Sequence, residues 1–433
     1  MRIHNLIFFL FIFLGLALPV DAFEWSVIPR LSLTEEYNDN IYQDSDNEED
    51  DFITIVTPGI QTNLDWQRYG LSAAYDLGYS FYNDHSEHDG FRHRGDVAGW
   101  WNADRTTRLS AGDTYIRSED ITELPENGNG TDRREGYYTN TAYVGLDHRF
   151  AENSNMALKY AYGILDNDDR TVEDNESHKT TVDATYFFDP FWGMSVNAGY
   201  TRGLYDVSQD YDEWKTTLRV LKNVSRHLQV NAAYSHTAVN WDPGGDENDY
   251  QVYNPSAGIR YTFDENGSMG LNLGYFVQDI DSRDNEKGLT VDGNIGRSWR
   301  FRGGSFTLNA NSGYENSQLN TENLGFNVYY GVQSRLDYRF TRNLGAAVFA
   351  AYRNVDYVNP GPGEDERKDD FVDAGCSLNW QIRKWLGTGL EYSYRNLDSN
   401  IDDNDYTVNR IMLKVVLSSQ FGKTRGSETN EEI

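Results

Sequence analysis

The segment RIMLKVVLSSQF, residues 410–421, ends the regular part of the sequence and shows its repeating pattern clearly. Every second residue is apolar, with one serine as the exception: Ile411, Leu413, Val415, Leu417 and Phe421. The intervening positions are mostly charged, hydroxyl or amide residues. Alternation with a period of two is typical of a β-strand with one apolar and one polar face.

The same alternation recurs along most of the chain, for example in residues 71–82, 156–164, 228–235, 269–275 and 344–352. Helical periodicity is nearly absent. The connections alternate strictly between short turns and longer acidic segments, and we count ten long ones, among them residues 315–324, and nine short ones. This arrangement predicts twenty strands between about Ser26 and Phe421, with both ends of the sheet on the side of the short turns.

Negative charge is concentrated in the long connections. The chain has a formal net charge of -30, and these ten segments hold 46 of its 68 acidic residues but only 7 of its 38 basic ones. The acidity therefore belongs to one rim of the predicted sheet. Such a balance excludes a nucleic-acid partner, because nucleic-acid-binding proteins carry clustered basic residues.

The N-terminus has the features of a secretory signal peptide. Arg2 precedes an apolar run from Leu6 to Leu18, and Ala22 ends a plausible cleavage site. This run is too short to span a bilayer as a helix, and no long apolar run follows it. We predict a signal peptide over residues 1–22, a barrel over 23–421 and a polar periplasmic tail over 422–433.

These features predict a transmembrane antiparallel up-and-down β-barrel of about twenty strands in the outer membrane; 18 or 16 strands are also consistent with the pattern. Short turns would face the periplasm and long acidic loops the exterior. A soluble sandwich or propeller would not need this alternation of loop lengths. The last strand, with Leu413, Val415, Leu417 and Phe421, resembles the C-terminal signal read by the barrel-assembly machinery, although twelve residues follow Phe421.

The first candidate site is the interior of the barrel. Alternation places a set of basic side chains on the lumen face: Lys159, Arg219, Arg260, Arg335, Arg353, Arg395, Arg410 and Lys414. A ring of basic side chains in a pore favours anions. Acidic residues predicted on the same face leave open a self-neutralising ladder across adjacent strands: Asp76, Asp183, Asp292, Asp337 and Glu391.

The loops offer weaker candidates. Their default interpretation is a solvated, repelling rim, with binding of divalent cations or lipopolysaccharide as the alternative. His85, His88 and His93 lie close together in sequence, but their spacing is a weak indication of a metal site. We find no catalytic motif, and we therefore predict no catalytic residue, no metal site, no cofactor and no enzymatic activity.

Residues Trp25–Trp66 resemble a known family. The elements EYNDNIY (Glu36–Tyr42) and DDFITIVTPGI (Asp50–Ile60) carry the resemblance to the outer-membrane family called β-barrel porin 2. Some relatives are associated with exopolysaccharide synthesis and export. The resemblance thus implies an outer-membrane barrel with a role in passing or supporting a surface polysaccharide, and with export components among its partners.

The sequence therefore favours an outer-membrane pore for a hydrophilic solute or polymer. The alternative is a structural or interaction barrel that presents acidic loops to lipopolysaccharide, divalent cations or an export partner. An outer-membrane enzyme is the third hypothesis, and it rests on no motif.

Overall fold

The computed structural model describes residues 24–120, 134, 136–170, 172–206, 209–242, 249–280, 285–319, 322–358, 367–401 and 404–423. It confirms the prediction of a closed antiparallel barrel of twenty strands. Each strand pairs with its neighbours in the sequence, and β1 pairs with β20 to close the sheet. The predicted signal peptide lies outside the described residues.

The strands have these bounds: β1 Glu24–Asn38, β2 Asp51–Asp65, β3 Tyr69–Tyr82, β4 Gly90–Asn102, β5 Thr107–Ser118, β6 Tyr137–Ala151, β7 Ser154–Asn167, β8 Asn175–Phe187, β9 Trp192–Tyr205, β10 Asp210–Asn223, β11 Leu228–Asp242, β12 Tyr250–Asp264, β13 Gly267–Ile280, β14 Glu286–Phe301, β15 Gly304–Leu319, β16 Glu322–Arg339, β17 Leu344–Val358, β18 Arg367–Arg383, β19 Leu386–Ser399 and β20 Tyr406–Ser418. A 3₁₀ turn, Ser86–His88, lies between β3 and β4. No helix in the described ranges is long and apolar enough to cross a membrane.

The seam of the barrel is extended by a short strand, β21, at Phe421–Lys423. β1 pairs with β20 over Arg30–Asn38 and with β21 over Trp25–Val27. The Phe421 side chain is 56% exposed on the outside of the sheet. Residues 424–433, most of the predicted tail, lie outside the described residues.

The two faces of the sheet differ as the opening segment predicts. Leu413 and Leu417 are 50% and 40% exposed on the outer face, where lipid would surround them. The opposite face holds polar residues that are almost fully buried, such as Glu36 at 1% and Ser80 at 0%. Burial of polar groups identifies this face as the interior, because contacts between non-neighbouring strands can form only there.

Short turns are stabilised by aspartates that accept backbone hydrogen bonds. Asp104 accepts from the N–H groups of Thr106 at 2.7 Å and Thr107 at 2.8 Å. Asp189 accepts in the same way from Phe191 and Trp192. The hydrogen bond from the Thr106 side chain lowers the pKa of Asp104 to about 2, together with those from the Thr106 backbone and from Thr107. These turns are Asx turns, which reverse the chain within a few residues.

The prediction of one long loop is wrong, because the segment lies in paired strands. The sequence pattern placed an acidic loop over residues 315–324, but β15 and β16 pair through almost all of this segment, as far as Leu319 and Glu322. The same hairpin also departs from the wall. β14 pairs with β13 from Glu286 onwards, whereas its pairing with β15 covers only Gly293–Phe301. From Glu286 to Asp292, therefore, β14 pairs only with β13, and no strand in the described ranges pairs with its other edge.

Candidate functional site

The strand register assigns the basic residues predicted from the sequence to one face of the sheet. Directly opposed residues of an antiparallel pair share a face, so the pairings can be followed around the barrel. By this register, the following lie on the inner face: Lys159, Arg219, Arg260, Arg335, Arg353, Arg395, Arg410 and Lys414. Their surroundings differ strongly between the extracellular half of the wall and the periplasmic half.

In the extracellular half, Arg410 is part of a buried ionic network. Its guanidinium donates to Glu36 at 2.8 and 3.0 Å and to Asp120 at 3.2 Å. Arg92 contacts the same group from β4, at 2.5 Å from Glu119 and 3.7 Å from Asp120. The side chains of all five residues are less than one-fifth exposed. Because the arginines and carboxylates attract each other, the network holds β1, β4, β20 and the loop after β5 together.

Arg134 connects this network to a second loop. The side chain is 1% exposed, and its Nε donates to the Tyr82 hydroxyl at 2.7 Å. Its Nη1 donates to the carbonyl oxygen of Ile41 at 3.0 Å, and its Nη2 lies 3.6 Å from Asp120. The loop that begins at Glu119 is thus anchored inside the barrel at both of its described ends. At Asp120 and Arg134, the described ends of this loop are buried, which differs from the prediction of a solvated rim.

Apolar side chains fill another part of the extracellular half. A cluster on the inner faces of β10–β13 consists of Tyr211, Val239, Trp241, Tyr250, Val252, Phe276 and Ile280, each at most 8% exposed. Tyr314 and Val328, from the β15–β16 hairpin, pack against it. The Lys215 ammonium on β10 lies 5.6 Å from the Tyr314 ring, which places the hairpin inside the barrel.

The periplasmic half contains a polar recess of about 430 Å³ on β8–β14. It is lined by Arg219, Arg260, Asp183 and Asp292 together with several amide side chains. Within the described part of the chain, neither guanidinium forms an ion pair. The Oδ1 atoms of Asn231 and Asn272 are buried there without a hydrogen-bond partner from the protein. The two guanidinium groups line the recess and can bind water or a solute, whereas the two amide oxygens are buried in its wall.

Asparagines of this wall lie flat over glycines of the neighbouring strand. Five such pairs are directly opposed: Asn272 with Gly258, Asn294 with Gly270, Asn309 with Gly296, Asn311 with Gly331, and Asn379 with Gly389. A Cβ added at any of these glycines would lie within about 3 Å of the opposed amide oxygen. Because glycine has no side chain, it leaves room for the opposed amide along the wall. We call these five asparagine–glycine pairs the amide belt.

The other predicted basic residues have close partners, with one exception. Arg395 donates to Asp373 at 2.7 Å, and Arg335 donates to Asp337 of its own strand at 3.1 Å. These two ion pairs agree with the alternative prediction, in which basic and acidic residues of the lumen face neutralise each other. Arg353 lies over the Tyr329 ring and Lys159 over the Tyr143 ring, each at 4.8 Å. Lys414 forms no ion pair within the described residues.

At the extracellular rim, His85 joins two loops. Its Nδ1 lies 2.9 Å from Asp51 and its Nε2 lies 2.6 Å from Glu49. Burial lowers the pKa of His85, but the hydrogen bonds to Asp51 and Glu49 and their charges outweigh burial and raise it. We call this contact the loop clasp.

The three clustered histidines of the sequence do not converge on one point. His88 contacts the Tyr42 hydroxyl at 2.8 Å, while His93 lies in β4 and contacts the Tyr75 hydroxyl at 2.7 Å. Among the described residues, no group of three or more His, Cys, Asp or Glu side chains is arranged to hold a metal ion.

Sequence reasoning missed the partners that organise the extracellular half. Alternation identifies Glu36 and Arg92 as inward-facing, but nothing in the sequence reveals that Asp120 and Arg134 return into the barrel from a long acidic loop. The amide belt was also missed. Its signal was present, because each asparagine has the inward parity of its strand and each glycine lies at the opposed position.

Solved structures share the barrel architecture. A mutant of the ferric enterobactin receptor PfeA from Pseudomonas aeruginosa matches with a TM-score of 0.50 and 8% identity, over 91% of this chain and 80% of that one. OccAB4 from Acinetobacter baumannii matches with a TM-score of 0.39 and 13% identity, over 92% and 98% of the two chains. OprD from Pseudomonas aeruginosa matches with a TM-score of 0.38 and 12% identity, over 92% of this chain and 96% of that one. At such identities, the likeness to the receptor shows the fold alone.

No curated protein matches the chain. The sequence profile of the family described as "Putative beta-barrel porin 2" matches residues 21–152 and 234–419, which together are well over half of the chain. These two segments include β1 and β20, which close the barrel, and all five pairs of the amide belt. The chain therefore belongs to this family of β-barrel porins, and it is a protein of the outer membrane.

Proposed function

We propose that this outer-membrane channel passes a hydrophilic solute or polymer passively along its inner wall, with a preference for anionic groups. The observation that carries the proposal is the recess in the periplasmic half. There, Arg219 and Arg260 lack ion-pair partners in the described structure, and the amide oxygens of Asn231 and Asn272 are unmatched. A wall that leaves two guanidinium groups without a carboxylate partner suits a hydrated or anionic solute.

The size of the barrel supports passage. Barrels of 16 to 18 strands already leave an aqueous channel, and this barrel has twenty. Asp183 and Asp292 lie in the same recess as the two arginines. Conduction requires that a solute bind strongly enough to enter and weakly enough to leave. The two carboxylates moderate the attraction of the arginines and keep a bound anion exchangeable.

A surface polysaccharide is the polymer that fits this wall best. Each asparagine amide both donates and accepts hydrogen bonds, as a sugar hydroxyl does. The amide belt repeats this group on β13, β14 and β15 and again on β18. A sugar chain can exchange one hydrogen bond for the next as it moves, and its carboxylates can pair with the free arginines. Export components would deliver the chain from the periplasmic side.

A second candidate is a structural or interaction barrel. The packed extracellular half favours it, since the ionic network and the apolar cluster occupy the inner wall there. In this alternative, acidic loops contact lipopolysaccharide, divalent cations or an export partner. The assembly machinery would recognise the last strand, with Leu413, Val415, Leu417 and Phe421, in either case. Neither candidate requires catalysis.

Single-channel recording in a planar bilayer under a salt gradient distinguishes the two. We expect the purified mature protein to give intermittent current, because its extracellular half is packed, and to prefer anions. Arg219→Gln with Arg260→Gln should lower the anion preference, by roughly twofold for each charge removed near the ion path.

The matched control is Arg335→Gln with Asp337→Asn, which removes a neutral pair and should leave the preference unchanged. Protein that is shown to be folded and inserted but never conducts would refute the pore and support the interaction barrel. Equal effects of the two double variants would show that the recess does not line the ion path.

A further inference from the structure

One carboxylate, that of Asp113, lies on the lipid-facing side of the wall at mid-height. Asp113 is directly opposed to Val97 of β4 and to Ala142 of β6, so the three side chains share a face. Arg92 points inward and is five residues from Val97 on the same strand, so this shared face is the outer one. Asp113 lies about midway between the two ends of β5. Outward-facing residues at comparable heights on other strands are aliphatic and exposed: Val144, Leu218, Leu271, Val348, Leu390 and Leu413.

The contacts of Asp113 leave its charge without an opposite charge. The Asn140 amide nitrogen donates to the two carboxylate oxygens at 3.1 and 3.2 Å and lies 3.2 Å from the carbonyl oxygen of Thr114. Within the part of the chain that the structure describes, no cation pairs with Asp113. An ionised group that faces hydrocarbon is costly, and membrane proteins turn such groups towards a protein partner. The carboxylate therefore indicates that this sector of the outer face contacts protein rather than lipid.

A hydroxyl lies at the same height on the other side of β4. Direct pairing leads from Asp113 through Val97 to Ala73 of β3. In the other direction the same row of pairs ends at Asn240, near the extracellular end of β11, so such rows climb as the strand number increases. Strands about 4.8 Å apart and tilted by about 40° shift a row by roughly one residue per strand. The position on β3 that is level with Asp113 is therefore about two residues above Ala73, at Tyr75.

Gly95 separates these two side chains and leaves a depression between aromatic rings. It is opposed to Tyr75 on one side and to Tyr115 on the other, and a Cβ added to it would lie 3.6 Å from the Tyr75 ring. The Tyr75 side chain is 44% exposed, and its hydroxyl lies 2.7 Å from Nδ1 of His93. A position without a side chain lets a second backbone approach closely within a membrane. A donor and an acceptor thus stand at one height on opposite sides of an accessible glycine.

We propose that the outer face of β3–β6 is the contact surface of a homodimer. A two-fold axis along the membrane normal, passing beside Gly95, exchanges the two sides of the surface, so Asp113 of each copy meets Tyr75 of the other copy. In this contact, Nδ1–H of His93 donates to the Tyr75 oxygen, and the hydroxyl proton is donated to the carboxylate. The dimer supplies the partner that Asp113 lacks and excludes lipid from it. The inference concerns the outer face alone, so it does not depend on conduction through the lumen.

Disulfide cross-linking in membranes tests the position of the axis. Gly95→Cys, combined with Cys376→Ser, places one thiol beside the axis, so two copies should form a covalent dimer under mild oxidation. The native chain is the matched control, because Cys376 is exposed on the outer face of β18, opposed to Val348 and away from the proposed contact. We expect dimer from the Gly95→Cys chain and none from the native chain. Monomer from both chains, or equal dimer from both, as random collision would give, would overturn the proposal.

Two substitutions test the pairing itself, with the dimer constant in lipid vesicles measured by stepwise photobleaching of a fluorophore at the C-terminus. Tyr75→Phe and Asp113→Ala should each weaken the dimer by about tenfold or more, the effect of losing a hydrogen bond to a charged group. Together they should weaken it by clearly less than the product of the single effects, because both remove the same bond. Tyr275→Phe is the control, since Tyr275 is also 44% exposed on the outer face, on β13.

The outcomes separate this inference from the proposed channel. Equal dimer constants for the native chain, Tyr75→Phe and Asp113→Ala, in barrels shown by circular dichroism to be folded, would refute the pairing. Single effects that multiply would refute it as well. A dimer that behaves as expected but never conducts would keep the contact surface and refute the channel.

Discussion

The two halves of the inner wall have the same strand pattern but different contents. Towards the exterior, Arg410, Glu36 and Asp120 are buried together, and an apolar cluster fills the region beside β10–β13. Towards the periplasm, Arg219 and Arg260 line an accessible recess without ion-pair partners in the described structure. Alternation determines which residues point inward. Whether the inward space is closed depends on which loops and hairpins return into it.

The largest effect should come from breaking the extracellular ionic network. Arg410→Ala leaves the carboxylate of Glu36, which is 1% exposed, without its guanidinium partner. Breaking a buried ion pair by removing one partner costs about 3–5 kcal/mol. We expect a loss of this size in the free energy of unfolding, measured by urea titration of the folded barrel in lipid.

Lys414→Ala is the matched control for this variant. Lys414 lies on the same strand and face as Arg410 but has no ion pair in the described residues, so its loss should cost about 0.5 kcal/mol or less. Combining Arg410→Met with Glu36→Leu should restore most of the stability, because it removes both charges of the pair, and Asp120 keeps Arg92 and Arg134 as neighbours. Similar losses for Arg410→Ala and Lys414→Ala would mean that the two halves do not differ in packing.

A smaller effect should follow from changing the amide belt of the periplasmic half. Gly258→Ala would place a Cβ against the Asn272 amide and 2.5 Å from the Leu271 carbonyl oxygen. The amide can rotate away, but the backbone cannot, so we expect a loss of about 1–3 kcal/mol in the free energy of unfolding.

The control for the belt is Gly345→Ala. Gly345 also faces inward, but the nearest atom to its added Cβ is the Tyr338 carbonyl oxygen at 3.5 Å, an ordinary contact. Its substitution should change the free energy of unfolding by about 0.5 kcal/mol or less. If both substitutions cost the same, the asparagines are not seated on their glycines, and the belt is not a built feature of the wall.

The sequence predicts the wall of this barrel much better than its contents. The number of strands, the pairing of neighbours and the lipid-facing side of residues 410–421 follow from local alternation, because the strand period is a property of the backbone. The inward direction of Arg219 and Arg410 follows in the same way. What each inward side chain meets is set by contacts between positions far apart in the chain, such as Arg410 with Asp120, and local patterns carry no information about them.

The β15–β16 hairpin shows that local sequence patterns also mispredict some strands. Residues 315–324 are polar and were predicted as a loop, yet almost all of them lie in paired strands. Tyr314 and Val328 have outward parity, yet they pack inside. Backbone pairing within a hairpin tolerates polar side chains on both faces, so composition did not identify it.

The smallest predicted effect concerns the loop clasp, and it depends on pH. Because the pKa of His85 is raised in the folded state, the clasp contributes its full stabilisation below about pH 6.5, the ordinary value for histidine. This contribution is lost as the pH rises through the raised pKa. The clasp is partly exposed, so it should be worth about 1 kcal/mol or less. Hydrogen exchange of the backbone around Asp51 and Asn83 should therefore accelerate above that pH.

His85→Gln tests whether the histidine causes this change. Glutamine can still donate a hydrogen bond, but it cannot become positively charged, so exchange should be faster than in the native chain at low pH and independent of pH after correction for intrinsic rates. His93→Gln is the control, because His93 contacts Tyr75 on the outer face rather than the two loops. Its profile should follow that of the native chain. A native profile without any pH dependence would show that the protonated His85 does not hold these two loops together.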